Sequence, residues 1–229
     1  MRRKALLMVM LLVGAIFAGS IAVMANNGSD DFPDLPRDHR VGPAVYALVD
    51  QEIISGFPDG TFRFQDNITR GDAAVMIARA LSYEDLNNPN VTFEDPFVDI
   101  PTTDRYFNAA NWLKEQQITG GYPDGTFAPR DTITRAEMAV ILSRAFALEK
   151  TSDTYSFSDR GGSTQDFVQA LYDQGITEGI GGGRFGSDDN ITRGDFSVFV
   201  HRSMGSGDVT PPEDDDAEEP EEFRVVDIY

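Results

Sequence analysis

Apolar positions recur in this chain with a helical spacing, in six separate stretches. From Gly42 to Glu52, Arg105 to Gln117 and Gln165 to Gln174 they return every three or four residues, with Leu48, Leu113 and Leu171 on the same stripe. That pattern predicts three amphipathic helices. A second set of stripes, such as Ala73, Met76, Ile77 and Ala80, or Met138, Ile141, Leu142 and Ala145, predicts a further helix after each of them. Each of these later helices opens on the same segment: Ile68–Asp72, Ile133–Glu137 and Ile191–Asp195. Thr69, Thr134 and Thr192 stand at the N-cap with an acid three residues on, which is the capping-box arrangement. Glu137 has the length that motif asks for, whereas Asp72 and Asp195 are one methylene shorter.

The segments between the helices repeat as well. Ile53, Ile118 and Ile176 close the first helices, and the turns Gly56-Phe57-Pro58-Asp59-Gly60-Thr61-Phe62 and Gly121-Tyr122-Pro123-Asp124-Gly125-Thr126-Phe127 follow. Pro-Asp-Gly presets the first corner and ends on a residue that accepts positive φ. Phe62, Phe127 and Phe185 are then expected to turn inward. In the third copy Gly181-Gly182-Gly183 replaces Pro-Asp-Gly. Each copy begins Phe-x-Asp, at Phe32, Phe97 and Phe157 with Asp34, Asp99 and Asp159. The offset is 65 residues from the first copy to the second, and 60 shrinking to 58 from the second to the third. A repeat with its own internal spacing fixes the architecture: mainly α, three pseudo-symmetric helix-loop-helix repeats. The expected boundaries are 32–86, 97–149 and 157–204 for the repeats, 87–96 for a loop and 150–156 for a linker.

The triplication puts one arginine in the same place three times, at Arg70, Arg135 and Arg193, the first helical position. The macrodipole disfavours a cation there by a few tenths of a kcal/mol, so local helix energetics would not select it. Two readings follow: a ligand contact, or an ion pair across a repeat interface. Arg79, Arg144 and Arg202 recur nine residues later, on the opposite helix face, and read as structural.

Composition narrows the function classes. The 229 residues carry a net charge of −19 and no cysteine, which excludes disulfides, thiolate zinc sites and thiol catalysis. Residues 1–25 begin Met1-Arg2-Arg3-Lys4 and continue without charge to Ala25, the pattern of a signal peptide or an uncleaved anchor. Residues 26–31 form a linker. Residues 205–229 form an acidic tail expected to be disordered, ten acids standing against Arg224. Residues 26–207 are themselves at −13, a poor match to nucleic acid.

Phe-x-Asp, a helix, Gly-(Phe/Tyr)-Pro-Asp-Gly-Thr-Phe, then Ile-Thr-Arg-Ala-Glu and a second helix closely resembles the S-layer homology repeat of bacterial cell-surface proteins, over about residues 32–204. The resemblance implies a three-pronged spindle, exported to the cell wall or S-layer, that binds secondary cell-wall polysaccharide or a peptidoglycan-linked polymer in grooves between repeats. In that family the ligand often carries pyruvate ketals. Carried over by motif, the ligand-contacting arginines are Arg70, Arg135 and Arg193. The motif aspartates are Asp34, Asp99 and Asp159, and the turn glycines Gly56, Gly121 and Gly179. Trp112 is the chain's only tryptophan and the one candidate for an indole in a groove wall. The chain departs from the family at Gly71 and Gly194, where alanine is preferred, and at Asp72 and Asp195, where glutamate is. An arginine fork suits a ketal carboxylate, and several moderate sites on one polymer gain from avidity.

Other readings remain on the table. The motif aspartates also suit a capping or Asx-turn role, and Trp112, on the apolar side of its helix, also suits the core. A protein–protein scaffold at the envelope would use the same grooves, and the tail could contact an envelope protein. A wall-glycan hydrolase needs one asymmetric carboxylate pair, which three equivalent positions do not provide. His39 and His201 do not recur with the repeat pattern and offer no triad. The Asp-rich turns lack the alternating ligands of a calcium loop, so neither a metal nor a cofactor is expected.

Overall fold

The computed structural model describes residues 31–159 and 162–205. The leader at 1–25, nearly all of the 26–31 linker and the acidic tail from 206 onward lie outside the described residues, as do the export and tail-partner readings attached to them. Among the described residues there are six α-helices: α1 (Gly42–Asp50), α2 (Arg70–Ala80), α3 (Phe107–Glu115), α4 (Arg135–Ala145), α5 (Gln165–Asp173) and α6 (Arg193–Ser203). A 3₁₀ turn, Glu84–Asn87, lies between α2 and α3, and another, Gly162–Thr164, precedes α5. Among the described residues extended pairing is confined to isolated bridges. The mainly α class and the three-repeat arrangement are those the sequence indicates.

The first helix of each copy stops one or two residues before its expected end. Glu52, Gln117 and Gly175 adopt φ of 58°, 61° and 68°, and the N–H groups of Ile53, Ile118 and Ile176 each donate back to Leu48, Leu113 and Leu171 at 2.9 Å. A left-handed residue with this back-bond is a Schellman closure, which uses up the last carbonyls of the helix. Helix α3 also starts later than expected, because the Asp104 carboxylate accepts the Tyr106 N–H at 3.0 Å and forms a turn first.

Helix pairing crosses from copy to copy. Helix α2 packs on α3, α4 on α5, and α6 returns to α1. At the centre, Ile68 N–H donates to the Ile191 carbonyl at 3.0 Å, Ile133 to Ile68 at 3.3 Å and Ile191 to Ile133 at 3.2 Å, a closed ring. The helix entries close a second ring, which runs in the opposite sense. Arg70 and Gly71 donate their N–H groups to the carbonyls of Asp131 and Pro129, Arg135 and Ala136 to Asp189 and Ser187, and Arg193 and Gly194 to Asp66 and Phe64. These are orphan donors of a helix N-terminus, and each set is satisfied by the loop of the next copy around the ring.

The core of each copy is a pair of phenylalanines. Phe32–Phe62, Phe97–Phe127 and Phe157–Phe185 stand with ring centroids 5.2, 5.1 and 5.7 Å apart. Phe62, Phe127 and Phe185 are buried, as their turns require, each contributing about 2–3 kcal/mol by area.

Candidate functional site

The motif aspartates clamp the far side of the turn. Asp34 accepts the N–H groups of Phe62 and Arg63 at 2.8 and 2.6 Å, Asp99 those of Phe127 and Ala128 at 2.8 and 2.7 Å, and Asp159 those of Phe185 and Gly186 at 2.6 and 2.9 Å. The second residue of each pair is left-handed, at φ 59°, 54° and 74°, a conformation that the carboxylate bond offsets in Arg63 and Ala128. Burial alone would raise the carboxyl of Asp159, but the amides of Phe185 and Gly186 outweigh it and hold it below the usual carboxylate range. Gly56, Gly121 and Gly179 are pressed by the rings of Phe32, Phe97 and Phe157, so a Cβ at any of them would strike an aromatic edge.

The three N1 arginines each reach into the next copy. Arg70 Nε donates to the Phe127 carbonyl at 2.8 Å, Arg135 Nε to Phe185 at 2.7 Å and Arg193 Nε to Phe62 at 3.2 Å. Each guanidinium also lies over that phenylalanine's ring, at 5.0, 4.8 and 4.6 Å from the centroid. This accounts for a cation at a helix start: a buried bond across the interface outweighs a small dipole penalty. Arg70 and Arg135 are 5% and 9% exposed. The later set is structural but not local to its own helix: Arg79, Arg144 and Arg202 donate to the carbonyls of Ile53, Ile118 and Ile176, tying together the two helix ends of one copy.

The three settings differ at the acid three residues into the second helix. Glu137 completes the capping box, its Oε2 accepting the Thr134 N–H at 3.0 Å, and its Oε1 meets Arg70 Nη1 at 3.0 Å. Asp72 caps through Thr69, and its other oxygen is taken by Arg105 at 2.6 Å and the Tyr106 hydroxyl at 3.1 Å. Asp195 does the same with Thr192 and with Arg40 at 2.7 Å. Arg40 and Arg105 stand 65 residues apart, and the third copy carries Gln165 at that place. The two departures from glutamate therefore coincide with an arginine at the start of the following copy. The flanking glycines fit the same contacts: Gly71 packs on Tyr106 and Gly194 on Phe64 and Val41. The repeated Arg40/Arg105 offset was visible in the sequence; its pairing with Asp195 and Asp72 was not.

One consequence is an open cleft at Arg193. A cavity of about 340 Å³ is lined by Arg193, by Ile53–Pro58 including Gly56, by one face of α2 with Asp72 and Arg79, by Leu86 and Asn87 of the 3₁₀ turn, and by Arg105. All three copies contribute to it. Arg193 uses Nε and Nη2 on the Phe62 and Ser55 carbonyls, and the remaining N–H groups of its fork stay available. Burial pushes its guanidinium below the ordinary value; Asp72 opposes this and Arg105 adds to it. The arginine of the third copy thus meets Gly56 and the turn of the first, not the triple glycine of its own. Trp112 lies elsewhere, stacked on Tyr83 with centroids 4.5 Å apart, outside the cavity lining. Asn108 donates to the carbonyls of Asp85, Leu86 and Asn88 and so holds the 3₁₀ turn that walls the cavity.

The model of the S-layer homology domain matches residues 31–74, 96–139 and 156–197, one match for each copy. The chain belongs to the S-layer homology domain family. Among its relatives, a cellulosome-anchoring protein of Acetivibrio thermocellus is 31% identical over 165 residues, 67% of this chain and 36% of that protein. A surface-layer 125 kDa protein of Lysinibacillus sphaericus is 30% identical over 178 residues, 75% of this chain and 14% of that protein. An endoglucanase of a Bacillus species is 36% identical over 108 residues, 47% of this chain and 12% of that enzyme. The S-layer homology chain described here spans at most 36% of the length of these three relatives.

Proposed function

We propose that this chain is a non-catalytic anchoring module of the bacterial cell envelope, which holds to the wall by binding an acidic polysaccharide in the cleft at Arg193. The observation that carries the reading is a half-buried guanidinium with unused donors, opening on a cavity in an otherwise acidic protein. A carboxylate ketal on a sugar would meet the fork in two parallel charge-assisted bonds. Arg79 and Arg105 line the same cavity and leave it cationic, with Asp72 as its one carboxylate. Anchoring and surface-layer relatives, by their names, support placement at the outer envelope.

Catalysis has little support in the geometry. A glycosidase positions two carboxyl groups about the scissile bond, whereas Asp72 is alone in the cavity and already bonded to Arg105 and Tyr106. Asp34, Asp99 and Asp159 are consumed by backbone amides. In this reading they position the turns whose phenylalanine carbonyls accept the N1 arginines, and contact with sugar falls to Arg193 and the backbone beside Gly56.

Sedimentation with purified cell-wall sacculi, before and after their secondary polymers are stripped, tests the proposal. Binding should disappear with the polymers. Arg193→Lys keeps the charge but not the fork, and should weaken binding about tenfold, since a hydrogen bond to a charged group contributes about 1.5–3 kcal/mol. Arg144→Ala should leave it unchanged. Undiminished binding to stripped sacculi would overturn the reading.

A further inference from the structure

The two connections between copies differ in length. Residues 81–96 join Ala80, the end of α2, to Phe97, whereas residues 146–156 join Ala145, the end of α4, to Phe157 with five residues fewer. The shorter connection lies against α5, where Asp173 accepts the N–H groups of Thr151 and Ser152 at 2.6 and 2.9 Å. The longer one contains the 3₁₀ turn Glu84–Asn87, and that turn flanks the Arg193 cavity. It is fastened at several points. Asn108, 8% exposed, spends its amide on three of its carbonyls, and the Phe93 ring meets Phe107 edge-on at 5.6 Å. Burying an amide costs free energy unless it is bonded, and here the bonds go to holding this loop. Within the loop, Asn88 Nδ2 donates to the Asp85 carboxylate at 2.8 Å. Asn87, between them, is different: among the described residues its carboxamide has no protein partner, it is exposed, and it lines the cavity.

We propose that Asn87 is a ligand contact of the Arg193 cleft, reading a hydroxyl of the acidic sugar whose carboxylate Arg193 holds. This rests on the reading that an acidic sugar binds at Arg193. A carboxamide offers two donors and an acceptor, so it can both give a bond to a hydroxyl oxygen and take one from its hydrogen. The charged groups of the cavity cannot do both, since Arg79, Arg105 and Arg193 only donate and ionised Asp72 only accepts. The cavity, at about 340 Å³, is at the lower end of the range of about 300–1,000 Å³ for small-ligand sites. A sugar seated on Arg193 therefore shares one small chamber with Leu86 and Asn87. Charge selects the class of ligand, and Asn87 selects among acidic sugars by where their hydroxyls stand.

The test is isothermal titration of the full chain with a methyl hexoside that carries a pyruvate ketal across two of its hydroxyls. Two deoxy analogues, each lacking one of the hydroxyls left free, complete the set. Asn87→Ala, folded with an unchanged Tm, should bind the intact probe about three- to tenfold more weakly, the worth of one neutral hydrogen bond. One deoxy analogue should show the same loss on the unaltered chain and no further loss on Asn87→Ala, because the two changes remove one shared bond. The other analogue should lose as much on Asn87→Ala as the intact probe does. Equal affinity of Asn87→Ala and the unaltered chain for the intact probe, with binding still weakened by Arg193→Lys, overturns this proposal and leaves the Arg193 cleft standing. A loss on Asn87→Ala that is the same for all three probes also overturns it, because the loop then acts as a flank and reads nothing. No binding of the intact probe by the unaltered chain removes the cleft reading and Asn87 with it.

Discussion

Gly71→Ala is a substitution toward the family's preferred residue, and by helix propensity alone it should stabilise by up to about 1 kcal/mol. The interface reverses the sign. A Cβ at Gly71 would sit 2.7 Å from the Pro129 carbonyl oxygen and 2.7 Å from Cγ of Tyr106. Neither neighbour can give easily. Pro129 accepts the Gly71 N–H at 2.8 Å, and the Tyr106 hydroxyl is fixed on Asp72 at 3.1 Å. Overpacking of this kind costs about 1–3 kcal/mol, and pulling α2 back would weaken the Arg70 and Gly71 amide bonds, about 1 kcal/mol each. The net expectation is a loss of about 1–3 kcal/mol, and thus a Tm lower by about 2–12 °C for a unit of this size. Gly194→Ala meets its nearest atom at 3.0 Å and should lose less, while Ala136 shows that the second copy tolerates the methyl group. Thermal melting followed by circular dichroism measures all of this. A Gly71→Ala protein that melts at or above the parent temperature would refute the account of why glycine stands there.

Two further outcomes are expected. The carboxyl of Asp159 is lowered in the folded chain, so its contribution is complete above the unfolded value of about 3.9 and is lost as pH falls through the lower folded value; melting temperature should drop across that acid window, and Asp159→Asn should flatten the drop while lowering Tm at neutral pH. Coincident acid slopes would contradict the clamp. Asn108→Ala removes a donor shared by three carbonyls, should cost about 1–3 kcal/mol, and should also weaken wall binding by loosening the Leu86–Asn87 wall; intact binding in sedimentation would detach that loop from the cleft.

Much of the fold was legible because it is local and repeated three times. Helical stripes, threonine caps, the inward phenylalanines and the register of the copies all follow from residues within a few positions of one another. The N1 arginines were not legible in the same way. Arg70 finds its carbonyl 57 residues away and Arg193 finds Phe62 131 residues away, and nothing in the local pattern says that the partner belongs to the neighbouring copy. Arg79, Arg144 and Arg202 read correctly as structural, but their acceptors lie 26 residues back, on the end of another helix. Asp72 and Asp195 looked like weakened caps. They are halves of cross-copy pairs whose other halves, Arg105 and Arg40, carry no motif of their own.

The closed circuit at Ile68, Ile133 and Ile191 bears on how such a module can be cut and altered. Open repeat arrays lengthen or shorten by a unit, because each unit touches only its neighbours and the ends can fray. Here the third unit hands its bonds back to the first, so no unit is terminal. Deleting one would strip acceptors from one survivor and donors from the other, and melting is expected as a single event with no two-thirds intermediate. The same circularity tolerates a change in where the chain starts: opening the backbone at the exposed residues around Pro89 would keep the contacts of the ring, whereas adding a fourth unit would break them.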